Sequence, residues 1–145
     1  MNRSSIKYII TSLLTAFIFC LTYCKKDDST IPNVSVDTYI YLTQPSNFNL
    51  NAVGGCQYID GGVKGIIVFR KSYNEFAAYE RDCPYDPTVS AARVDTSGGT
   101  VGIDHNCGSQ FSLFDNSILN GPATRGLKTY YAEYNASAQT VYIHN

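Results

Sequence analysis

Beyond one long apolar run near its start, the chain alternates apolar and polar residues in short stretches cut by glycine, proline and asparagine. A period of two with frequent turn residues predicts strands rather than helices. Residues 34–42 alternate and form a first predicted strand, followed by a connecting loop over 45–50. Gly54-Gly55 marks a turn, residues 56–60 a short strand, and Gly61-Gly62 a second turn. Residues 64–70 are the most apolar stretch after the first run and predict a central strand; residues 76–81 predict the strand that runs into Cys83. Strands are further expected over 89–94 and 101–105, the latter entering Cys107, with a glycine-rich turn over 96–100 between them. Residues 111–114 and 117–119 read as two strands about an Asp115-Asn116 turn. Residues 128–134 and 140–144 read as a terminal hairpin about Asn135-Ala136-Ser137. The pattern gives about ten strands and no helix.

The exception is residues 8–21, a mostly apolar run preceded by Arg3 and Lys7. A basic start and an apolar stretch shorter than the roughly 20 residues of a spanning helix predict a secretory leader. Leu21-Thr22-Tyr23-Cys24 resembles a bacterial lipobox, whose cysteine is lipidated and becomes the new first residue. Lys25-Lys26-Asp27-Asp28 then turns at once to charge, and Lys26-Asp27-Asp28 resembles the acidic tag that sends some Gram-negative lipoproteins to the cell surface. The expected layout is a signal peptide over 1–23, a lipidated N-terminus and linker over 24–36, and one domain over 37–145. Acyl chains contribute about 0.8 kcal/mol per buried methylene, so several on Cys24 make anchoring lasting. The expected address is therefore the bacterial cell envelope, as an outer-membrane lipoprotein reaching the surface.

Composition agrees with an all-β domain: twelve tyrosines, eleven glycines and no tryptophan. Removing residues 1–23 takes away Arg3 and Lys7, leaving nine basic against twelve acidic residues and a net charge of −3. That balance argues against nucleic acid as a partner and against a polybasic membrane patch. The sequence holds no Gly-x-Ser-x-Gly, P-loop, His-Glu-x-x-His or Cys-x-x-Cys. Asp82, Asp86, Asp104 and Asp115 lie near the two cysteine stretches without calcium-loop spacing and are read as turn formers.

Two stretches carry the remaining chemistry. Cys83-Pro84-Tyr85-Asp86 is answered by Cys107-Gly108-Ser109-Gln110-Phe111, and Gly121-Pro122-Ala123 follows. This order resembles the Rieske iron–sulfur family, in which the loops read Cys-x-His and Cys-x-x-His and a Gly-Pro-Ala turn closes the site. Residues 121–127 are similar to the family's Gly-Pro-Ala-x-x-Pro-Leu, with Gly126 in place of the proline. The resemblance covers most of the chain from Tyr39 onward. It implies an all-β, Rieske-like antiparallel sandwich or barrel bearing a small two-loop subdomain.

A Rieske cluster holds one iron by two cysteines and the other by two histidines. Here Tyr85 and Gln110 occupy the positions of those histidines. A phenol with an ordinary pKa of about 10 and an amide oxygen are poor replacements for neutral imidazole. The resemblance thus implies retained cluster positions at Cys83 and Cys107, lost ligands at Tyr85 and Gln110, and no cofactor or metal. A [2Fe–2S] electron-transfer protein with altered outer ligands, His105 among the candidates, is the alternative. It also implies that the two sulfurs lie close, so that without iron a Cys83–Cys107 disulfide is expected, or a redox-switching pair. Cys56 is read as a small buried residue, with pairing to Cys83 or Cys107 left open. The function expected is non-enzymatic: binding or structural support, with an envelope protein or ligand as partner.

Overall fold

The computed structural model describes residues 31–96 and 98–145. The leader, Cys20, Cys24 and the export-tag residues lie outside them. Among the described residues no helix is long and apolar enough to cross a membrane. The domain is all-β, with ten strands in two antiparallel sheets and a 3-10 helix at Pro45–Asn51 where a loop was expected.

The strands are β1 (Asp37–Tyr41), β2 (Cys56–Ile59), β3 (Ile66–Arg70), β4 (Phe76–Glu80), β5 (Val94–Thr96), β6 (Val101–Asp104), β7 (Gln110–Ser112), β8 (Ile118–Asn120), β9 (Thr129–Asn135) and β10 (Thr140–His144). The larger sheet runs β1-β10-β9-β4-β3-β2 and the smaller β5-β6-β7-β8. Successive side chains on a strand point to opposite faces, and β3 buries both. Ile66 and Val68 enter a first core with Leu50, Phe76, Val141 and Ile143. Ile67 and Phe69 enter a second with Val94, Phe111, Leu113 and Leu127. That two-sided burial is why β3 is apolar throughout.

The second core joins the sheets, and both Cys83 and Cys107 belong to it. The link runs through the residues after β4. Arg81 N donates to Gly65 O, Val94 N donates to Arg81 O, and Asp82 bridges Arg93, so residues 81–83 lie antiparallel to 92–94. Arg81 pairs with Asp95 and lays its guanidinium over the Tyr58 ring, 4.0 Å from the centroid. The small sheet is thereby fixed to the large one just where Cys83 leaves it.

Three expectations need correction. Residues 89–94 form turns rather than a strand: Val89 N bonds back to Asp86 O and Ala92 N to Val89 O, and only Val94 reaches the sheet. The strand expected over 101–105 ends at Asp104, because Gly108 N closes a turn on Asp104 O, which leaves His105 exposed outside the strand. The segment read as a tether is docked from Ile31 onward. Ile31 and Val36 are buried, Lys128 Nζ donates to Pro32 O, and the Asn145 side chain accepts from Val36 N and donates to Val34 O.

Candidate functional site

Three elements converge at the rim of the second core. The extension of β4 brings Cys83, the end of β6 brings Asp104, and the turn between β6 and β7 brings Cys107. Cys83 is fully buried and Cys107 half-buried, with their Sγ atoms 3.8 Å apart and unbonded. Asp104, with no solvent exposure, sets one carboxylate oxygen 3.3 Å from Cys107 Sγ, while the other accepts from Asn106 N at 2.8 Å. The two sulfurs and an Asp104 oxygen all lie within 4.8 Å of one another. Burial pushes the Cys83 thiol well above its ordinary pKa, and the neighbouring Asp104 pushes the same way; the Tyr85 N–H directed at the sulfur opposes them.

Ser109 fastens this pocket to the third motif. Buried and 3.1 Å from Cys107 Sγ, its hydroxyl oxygen also accepts from Ala123 N at 3.0 Å. The Gly121–Pro122 peptide before Ala123 is cis. Arg125 donates to Pro84 O, so the turn braces the first cysteine loop as well as the second.

Gly126 has a local reason. A Cβ there would lie 2.6 Å from Asn116 O and 2.9 Å from the Asn116 amide. Asn116, at φ 60°, spends both ends of its side chain on Leu127, donating to its carbonyl and accepting from its N–H, each at 2.8 Å. A proline ring at 126 and this asparagine brace are incompatible. Gly126→Ala is expected to cost about 1–3 kcal/mol through overpacking, read from urea denaturation.

The other residues singled out from sequence fall elsewhere. Tyr85 is 47% exposed, and Gln110 opens β7 half-buried, its backbone paired with Ile103 and Asn120. Cys56 is half-buried with its sulfur 3.1 Å from Thr96 Oγ1. Asp115 behaves as a turn former, accepting from Ser117 N and Oγ. Asp104 closes the same kind of turn, accepting from Asn106 N, yet both it and Asp82 are fully buried. Asp82 faces Lys64 Nζ at 2.7 Å, and Lys64 also donates to Val89 O and Ala92 O, so it clamps the first cysteine loop onto the turn before β3. Nothing in the local sequence of Lys64 marks it, since its partners lie 18 or more positions away.

A Rieske-type [2Fe–2S] cluster is held by two imidazoles beside two thiolates, and other [2Fe–2S] clusters by four thiolates. The donors at this site are two sulfurs and a carboxylate, and His105 is exposed on the turn. The residues present do not fit that group. A scan against protein-family models finds no match for the chain, and a search of curated proteins finds no matching relative.

Proposed function

We propose that the chain is a membrane-anchored envelope lipoprotein whose Rieske-type domain works without a cluster, in binding or structural support. The observation that carries this reading is the paired cysteine loops and Gly121-Pro122-Ala123 turn, assembled around a buried carboxylate, with Tyr85 and Gln110 at the positions of the family's imidazoles. The leader pattern and Cys24 supply the anchor, and the envelope supplies an oxidising setting in which two sulfurs this close form a disulfide. That bond would close a loop of about two dozen residues and add about 3 kcal/mol in the chain-entropy account. Its role would be to hold the tip together in place of the cluster.

The test is iron and acid-labile sulfide on the full-length chain, expressed in a Gram-negative host and purified anaerobically, with palmitate labelling alongside. The expected result is neither iron nor sulfide, and label that disappears in Cys24→Ala. Two irons and two sulfides per chain would overturn the cluster-free reading, and label retained by Cys24→Ala would overturn the anchor.

A further inference from the structure

We propose that the reduced Cys83–Cys107 pair and Asp104 together bind one thiophilic divalent cation of the zinc class. The inference rests on the cluster-free reading, since a cluster would occupy the same sulfurs. It differs from a cluster in taking a single ion, no sulfide and a carboxylate ligand.

Spacing is the first support. With metal–sulfur bonds of about 2.3 Å, two thiolates on a tetrahedral ion stand about 3.8 Å apart. Cys83 and Cys107 hold their sulfurs at 3.8 Å. A carboxylate oxygen sharing that ion lies about 3.5 Å from each sulfur; Asp104 Oδ2 is 3.3 Å from Cys107 Sγ. All three donors stand within 4.8 Å of one another before any ion pulls them in.

Charge is the second. Asp104 is wholly buried, and among the described residues no lysine, arginine or histidine pairs with it. A dication there would add a charge partner that the carboxylate's hydrogen bonds with Asn106 N and Cys107 Sγ do not supply. Its surroundings are arranged for a ligand: Asn106 N holds one oxygen and leaves the other facing the sulfurs. Two sulfurs select zinc-class ions over magnesium and calcium, which prefer all-oxygen sites.

Binding balances simply. The dication enters, the two thiol protons leave to solvent, and two thiolates and one carboxylate around the dication give the occupied site a charge of −1. Three protein ligands leave a fourth corner for water. A disulfide uses the same sulfurs, so ion and cross-link are alternative states of one pair.

Cobalt(II) reports thiolate ligation and tetrahedral geometry directly. The full-length chain, reduced with a phosphine under anaerobic conditions, is titrated with Co2+. The expected result is one Co2+ per chain, with a sulfur-to-cobalt charge-transfer band and intense visible bands. Co2+ binding should release two protons in weak buffer, and Zn2+ should then bleach both bands one for one with no further proton release. Cys107→Ser should abolish the charge-transfer band, Asp104→Asn should weaken Co2+ binding more than about tenfold, and Cys56→Ser and Cys24→Ser should change neither. Asp104→Cys, which keeps three ligands, should restore binding, and circular dichroism checks that each variant is folded. Absence of the charge-transfer band, its survival in Cys107→Ser, or unchanged affinity in Asp104→Asn would overturn the inference. Iron and sulfide measured on the same preparation separate the two readings. A sulfide-bearing cluster defeats the cluster-free function, whereas sulfide-free protein that ignores cobalt defeats only the ion site.

Discussion

Lys64→Met is expected to destabilise the domain by about 3–5 kcal/mol, the usual cost of leaving one half of a buried ion pair without its partner. Asp82 has no solvent exposure, and the Lys64 ammonium at 2.7 Å is its charged partner. Methionine fills much of the space of the lysine stem but leaves the buried carboxylate without its cation, beside Glu80 and Asp104. It also removes the clamp on Val89 O and Ala92 O, and with it the hold on the loop carrying Cys83. Urea denaturation measures the loss. The pH dependence supplies a signature. Burial raises the Asp82 carboxyl above its ordinary pKa, and Lys64 works against that rise. An acid whose folded pKa lies above its unfolded value favours the folded state below the unfolded pKa and loses that contribution as pH climbs through the folded one. Removing Lys64 raises the folded value further, so the deficit of Lys64→Met should be largest at neutral pH and shrink on acidification. Replacing both partners, Lys64→Met with Asp82→Leu, should return stability to within about 1–2 kcal/mol of the parent, since neither half of the pair is left without the other. A single-variant loss below about 1 kcal/mol would mean that water reaches Asp82.

The contrast between legible and illegible features follows from sequence distance. The strand β3 could be read from residues 64–70 because burial on both faces writes itself as an unbroken apolar run, and the β9–β10 hairpin because its alternation brackets an asparagine turn. Residues 89–94 misled because Val89, Ala92 and Val94 look like strand material. Their apolarity comes from folding over the second core in turns, with Ala92 and Val94 inward and Val89 exposed. At the site, the two cysteines could be singled out by their ordered motifs. Asp104 was legible only as a turn former, which it is through Asn106 N; the place of its other oxygen beside the sulfurs depends on the fold bringing Cys83 from 21 positions earlier. Lys64 and Asp82 were invisible for the same reason, since an ion pair across 18 positions leaves no local pattern.

Glu80→Ala should cost at least about 3 kcal/mol, because four donors converge on this one carboxylate and a buried donor stripped of its acceptor loses about 1–3 kcal/mol. Glu80 is the last residue of β4, fully buried two positions before Asp82. Its oxygens accept from Val63 N at 2.7 Å, Lys64 N at 2.9 Å, Asp82 N at 3.1 Å and the Tyr130 hydroxyl at 2.7 Å. The chain is shaped for this acceptor. Gly62 sits at φ +63°, where a Cβ would lie 2.1 Å from Glu80 Oε2, so the turn before β3 can close over the carboxylate only with glycine there. Tyr130→Phe removes one donor together with its need for an acceptor, and should cost only about 1 kcal/mol. Glu80→Gln should fall between the two, because the amide retains one acceptor but turns an N–H2 toward groups that also donate. The ordering Tyr130→Phe, Glu80→Gln, Glu80→Ala in urea midpoints checks the assignment; equal losses would mean the side chain acts through volume alone. Two acids at one strand end thus meet burial differently, Glu80 by four hydrogen bonds and Asp82 by a cation. Both tie the approach to Cys83 to the turn before β3, so losing either should loosen the first cysteine loop as well as the sheet beneath it.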